Sequence, residues 1–153
     1  MNWNGSLHAV LLSTSCYLNF KEKSEEYVKE KETLANEKKE LVKNKTEIEK
    51  NVSKKEFDVI DARSKERFEG KVSEPRKGLR SGSIENSFCL PFSDLIDIDG
   101  TFISNDKILE KFKSTKCALN KNLVFSCGSG ITASVLALAY SLIDNKYMPT
   151  IYD

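Results

Sequence analysis

A short apolar run, Leu123-Val124-Phe125-Ser126, gives way to Cys127-Gly128-Ser129-Gly130-Ile131 and then to a helical stretch from Thr132 to Leu142. A buried strand feeding a helix that is apolar almost all round is the pattern of a helix packed on a parallel sheet. It also puts a thiol between a strand end and a helix start, where free backbone N–H groups and the positive end of the helix dipole favour an anion. Gly128 and Gly130 carry no Cβ that would stop the loop curling around the sulfur, and Ser129 and Thr132 add hydroxyl donors. Such settings bring a cysteine pKa from about 8.5 to somewhere around 3.5–7.5. The plainer alternative is a small buried residue at a tight turn. Two glycines and two hydroxyls in the next five positions favour the reactive thiol.

From Glu56 onward, short apolar runs alternate with amphipathic stretches, which points to an α/β layer fold. Phe57-Asp58-Val59-Ile60 and Phe88-Cys89-Leu90-Pro91-Phe92 are predicted strands, Leu123 to Phe125 the central strand, and Met148 to Tyr152 a further one. Asp106 to Phe112 is predicted as helix with Ile108, Leu109 and Phe112 on one face. The stretch from Lys71 to Ser87, rich in Gly, Ser and Arg and containing Pro75, is a long loop, and long loops inside compact domains tend to carry function. It and the residues just before it hold Arg67, Arg76 and Arg80. Arginines on one flexible span can converge on a carboxylate or a sulfur oxyanion, or can be ordinary solvated side chains; the residues alone leave both open.

The first part of the chain is different. Lys21 to Glu56 alternates Lys and Glu with neither Gly nor Pro and reads as helix, or two helices. Tyr27, Leu34, Leu41 and Ile48 form one narrow apolar stripe, and Lys31, Lys38 and Lys45 occupy the places a coiled coil would need. Leu7 to Leu12 is too short to span a bilayer and has no preceding Lys or Arg, so it is a poor signal segment. With 153 residues, one ordinary domain with some excess is expected. Lys+Arg 24 against Asp+Glu 23 gives a formal +1, so no charge-driven partner, nucleic acid or membrane, is implied. Four cysteines, Cys16, Cys89, Cys117 and Cys127, are too few and scattered for a disulfide framework, and no metal-ligand spacing occurs. No metal or cofactor is expected. His8, the single histidine, lies far from Cys127 in sequence, which argues against a Cys–His dyad.

Val59-Ile60-Asp61-Ala62-Arg63-Ser64, Arg67-Phe68-Glu69-Gly70, Glu74-Pro75-Arg76, Gly82 with Ile84, Leu90-Pro91-Phe92 and Cys127 through Ala133 resemble, in that order, the C-terminal catalytic domain of tandem rhodanese-type sulfurtransferases, in the 3-mercaptopyruvate branch. The expectation is a rhodanese-like α/β domain over 45–153, a parallel sheet flanked by helices, preceded by a charged helical extension over 1–44. The resemblance implies that Cys127 attacks the sulfur of 3-mercaptopyruvate, releases pyruvate and holds a persulfide until a small thiol, thioredoxin or cyanide takes the outer sulfur. It assigns Arg67 and Arg76 to the substrate's carboxylate and carbonyl, and Ser129 to proton transfer. Gly128, Gly130, Ile131 and Thr132 complete the loop. The thiosulfate enzymes of the family carry Arg-Lys after the cysteine, which a doubly charged donor needs; Gly128-Ser129 argues for mercaptopyruvate.

Three departures stand out. Ser83-Ile84-Glu85-Asn86 replaces the family's His-Ile-Pro-Gly, which puts the local turn in question. The sequence ends at Asp153 where the family pattern continues into Gly-Ser-Trp and a last helix, so an incomplete domain with an exposed final strand is expected. The family's inactive N-terminal domain, which lends an Asp and a His to the serine's relay, has no counterpart in 1–44. A Cys-based phosphatase would place an arginine six residues after the cysteine, where Ala133 stands, so that activity is ranked low. The serious rival is a rhodanese-like fragment or binding module that carries sulfur poorly or not at all. Cytosol is the default compartment, with the mitochondrion left open.

Overall fold

The computed structural model describes residues 39–119 and 122–152 together with Lys29. The chain divides into two compact units at Lys39/Glu40, and everything described below belongs to the second, which begins at Glu40. His8, Cys16 and the apolar run at 7–12 lie outside the described residues.

Within the predicted Lys21–Glu56 helix, the chain breaks. Leu41 is a turn and Val42–Lys43 forms strand β1, followed by helix α1 over Lys45–Lys54. Lys/Glu periodicity hides the break, but a capping box marks it. The Glu47 N–H donates to Asn44 Oδ1 at 3.1 Å and the Asn44 N–H donates to Glu47 Oε2 at 2.9 Å. Asn51, buried on α1, then bonds the Phe57 backbone in both directions and sets the turn into the next strand.

The remaining elements are β2 (Asp58–Asp61), a short helix α2 (Lys65–Phe68), β3 (Phe88–Cys89), a 3₁₀ turn (Phe92–Leu95), α3 (Asn105–Ser114), β4 (Leu123–Ser126), α4 (Ile131–Ser141) and β5 (Thr150–Tyr152). All described strands pair in parallel in the order β1-β5-β4-β2-β3, with β4 at the centre as its apolar run Leu123–Phe125 predicts. The final strand is not the exposed edge expected from sequence. β1 pairs along its outer side, Val42 opposite Ile151, with the Ile151 N–H donating to the Leu41 carbonyl at 2.8 Å. The residues that supply this cover look like helix by composition, which is why the cover was not legible.

One face of the sheet carries the larger core. Ile60 and Phe125 meet Leu95, Ile108, Phe112 and Leu136, with Phe112 and Tyr140 rings edge-on at 5.0 Å. The other face buries Ile48 of α1 against Val59 and Val124. α3 turns Ile108 and Phe112 fully inward and leaves Leu109 half-buried, so the predicted face is shared unequally. α4 is less enclosed than its composition suggests, because Ile131, Leu138 and Leu142 at its ends and outer side are exposed. Among the described residues no helix is long and apolar enough to cross a membrane.

The strand order fixes where a site can form. The chain leaves β2 toward β3 on one side and leaves β4 toward β5 on the other, so the loops after β2 and β4 part at the carboxyl edge of the sheet. A crevice opens at such a reversal point. The register Asp61↔Ser126 brings the start of both loops side by side, and the Ala62 N–H donates to the Ser126 carbonyl at 2.8 Å.

Candidate active site

Cys127 follows β4 directly and is 7% exposed. Gly128 at φ +141° and Gly130 at φ +70° take conformations L side chains rarely adopt, and these two turns swing the chain back over the sulfur. Helix α4 begins at Ile131 with no side-chain cap of its own. Its early N–H groups face the Cys127 sulfur instead, where the Thr132 hydroxyl and the backbone N–H groups of Ser129, Ala133 and Thr132 favour the thiolate. Burial pushes the thiol pKa up, but these donors outweigh it and hold Cys127 below the ordinary thiol value. The other described cysteines behave oppositely: burial and the nearby Asp61 carboxylate push Cys89 up to about 11, and burial also raises Cys117.

Beside the loop lies a nearly dry ionic network. Arg63, 9% exposed at its side chain, donates from Nη2 to Asp61 Oδ2 at 2.6 Å and to the Gly82 carbonyl at 2.8 Å, and from Nη1 to Glu74 Oε1 at 2.8 Å. Arg67 grips the same glutamate through Nε at 3.2 Å and Nη2 at 2.5 Å. The two arginines hold the Glu74 carboxyl below the usual carboxylate range, Arg67 contributing most. Arg76 is exposed and reaches across to donate from Nη1 to the Gly128 carbonyl at 3.3 Å.

Two cavities meet at Cys127. One of about 200 Å³ is lined by Arg67, Arg76, Ser129 and Thr132, and the other, of about 270 Å³, by Ile84, Arg80 and Tyr152, with Glu74, Leu79, Cys127 and Gly128 shared between them. The sequence-predicted residues Cys127, Ser129, Thr132, Arg67 and Arg76 therefore gather at one cavity. Ser129 is half-buried there, and its hydroxyl has no hydrogen-bond partner among the described residues. Ile131 points outward, 71% exposed, and Gly130 contributes the helix's first carbonyl acceptor to Ser134. Among the described residues no group of His, Cys, Asp or Glu side chains could hold a metal ion.

The family model of the rhodanese-like domain matches residues 44–152. This chain belongs to the rhodanese-like domain family. Its rhodanese-like domain is 42% identical over 94 residues to thiosulfate/3-mercaptopyruvate sulfurtransferase 1, mitochondrial, of Arabidopsis thaliana, covering 61% of this chain and 24% of that protein. It is 37% identical over 102 residues to human 3-mercaptopyruvate sulfurtransferase, covering 67% of this chain and 34% of the relative. Among solved structures, that of the Escherichia coli 3-mercaptopyruvate sulfurtransferase SseA superposes with a TM-score of 0.62 at 29% identity, over 74% of this chain and 41% of SseA. The chain thus spans about a quarter to a third of the length of these curated relatives.

Within the rhodanese-like domain, the turn at 83–86 forms despite its departure from the family pattern. Asn86 takes φ +60°, a left-handed conformation that asparagine tolerates better than most residues, and the Ser87 N–H closes the turn on the Ile84 carbonyl at 3.2 Å. Sequence reasoning did not single out Arg63 as a buried strut or Glu74 as the bridge between two arginines. The usable signal was spacing: Asp61 and Arg63 follow each other at a strand end, where i and i+2 side chains leave on the same face.

Proposed function

We propose that this chain is the catalytic domain of a sulfurtransferase that takes sulfur from 3-mercaptopyruvate. The Cys127 thiolate attacks the donor's thiol sulfur. An S–S bond forms, the donor's C–S bond breaks, and the electron pair left on carbon takes up the proton of the donor thiol, giving pyruvate and a persulfide anion on Cys127. A thiol acceptor then attacks the outer sulfur, receives it as a new persulfide and returns Cys127 as thiolate; cyanide would leave as thiocyanate. The donors that favour the thiolate would serve the persulfide anion equally well.

The observation that carries this reading is the ring of N–H and O–H donors around a buried Cys127 that lines a cavity with two arginines. Arg76, with donors to spare, is assigned to the donor's carboxylate, and Arg67 to its carbonyl side, both by charge-assisted hydrogen bonds. Ser129, whose hydroxyl lies on the cavity wall, is assigned to moving the proton from sulfur to carbon. The absence of a cation at positions 128 and 129 favours mercaptopyruvate over the doubly charged thiosulfate. Thioredoxin as acceptor and a cytosolic setting belong to the same proposal.

Pyruvate release from 3-mercaptopyruvate, followed with a small thiol or cyanide present, tests it. Turnover lost in Cys127→Ser is expected. A second reading, a rhodanese-like binding module, is favoured by one feature: Arg67 is already held by Glu74 through two nitrogens. Folded protein that releases no pyruvate would decide for the module.

A further inference from the structure

Glu74 takes no part in the transfer steps above, yet it sits at their centre. It lies on a loop without helix or strand, and its side chain is only 2% exposed. Arg63 also donates to Glu74 at 2.8 Å, but its charge is matched by Asp61, so across the two carboxylates and two guanidiniums the charge left for Glu74 to cancel is that of Arg67. Of the two arginines lining the smaller cavity, Arg76 alone has no carboxylate partner among the described residues.

We propose that Glu74 is a specificity-determining residue, which cancels Arg67 and so leaves the donor cavity with one net cationic side chain, matched to a donor bearing one carboxylate instead of two negative charges. This rests on the sulfurtransferase reading for the identity of the donor, but not for the charge. An added positive charge attracts a dianion twice as strongly as a monoanion and a neutral molecule hardly at all. Removing Glu74's charge therefore changes preference among ligands of different charge even where it alters all rates together.

Glu74→Gln keeps the side chain's shape and removes its charge. Alkylation of Cys127, mapped by peptide mass spectrometry, is timed with iodoacetate and with iodoacetamide, which react at the same carbon and differ by one charge. The thiolate fraction enters both rates equally, so their ratio reports the charge of the cavity. The iodoacetate-to-iodoacetamide ratio is expected to rise about three- to tenfold in Glu74→Gln and to return to the wild-type value when Arg67→Gln is added, which restores the charge. An unchanged ratio in the single variant, or a raised ratio that persists in the double, overturns the proposal. Should Glu74→Gln fail to fold, Arg67→Gln alone makes the opposite change and must lower the ratio; no fall overturns the proposal equally. In a second arm, persulfide formation from thiosulfate should gain on that from 3-mercaptopyruvate in Glu74→Gln. A wild-type protein that shows the expected alkylation ratios but takes sulfur from neither donor separates the two claims: the transfer reading falls and the charge assignment stands.

Discussion

Replacing Thr132 by valine removes one hydroxyl from the sulfur's surroundings and nothing else of comparable size. Four donors favour the Cys127 thiolate, and the Thr132 hydroxyl is the strongest of them. A hydrogen bond to a charged group contributes roughly 1.5–3 kcal/mol. The three backbone donors stay in place and a methyl fills the hydroxyl's space, so the lower figure applies, and about 1.4 kcal/mol corresponds to one pKa unit. Thr132→Val is therefore expected to raise the Cys127 pKa by about one unit. The assay is the rate of iodoacetamide alkylation at Cys127 against pH, with the modified peptide identified by mass. Because the folded pKa lies below the ordinary thiol value, the wild-type midpoint should fall at a lower pH than that of a free thiol. The variant's midpoint should move upward while its plateau stays close to the wild type's. Thr132→Ser keeps the donor and should keep the midpoint. An unmoved midpoint in Thr132→Val, or an equal shift in Thr132→Ser, would refute the claim that the hydroxyl favours the thiolate.

Other outcomes follow from the same geometry. Arg76→Ala should lower use of 3-mercaptopyruvate at least tenfold, an estimate from losing a charge-assisted contact of about 1.5 kcal/mol or more, while Cys127 alkylation changes much less. Equal losses in both would make Arg76 a brace for the loop through its bond to the Gly128 carbonyl. Phe112→Ala should cost about 3–5 kcal/mol in urea unfolding followed by circular dichroism, since the ring is fully buried against Phe125 and Tyr140. Glu74 has a lowered pKa, so its contribution to stability is complete above the unfolded carboxylate pKa of about 4.3 and is lost as pH falls through its lower folded value. Glu74→Gln should remove that part of the acid-unfolding dependence, and an identical acid transition in the variant would contradict the network's role.

Much of the fold could be read from the sequence because its central elements are short, apolar and punctuated. β4 and α4 announce themselves by composition, and Ile108 and Phe112 by their spacing. β1 could not be read, since Val42 and Lys43 become a strand only through pairing with Thr150–Tyr152 at the far end of the chain, while local propensity favours helix. The site divides the same way. Cys127, the two glycines and Thr132 sit in one continuous stretch, so their gathering at one turn is local and legible. The ionic network joins Asp61, Arg63, Arg67, Glu74 and Gly82 from a strand end, a short helix and a long loop. Nothing in residue order says that Arg67 pairs with Glu74; only folding the 71–87 loop back over Arg63 reveals it.

The most direct measurement is the intact mass of the folded protein after incubation with 3-mercaptopyruvate and removal of excess donor. One added sulfur, released by dithiothreitol and absent in Cys127→Ser, is the predicted result. Folded protein with no added sulfur, or an adduct that persists in Cys127→Ser, would contradict Cys127 as the sulfur carrier.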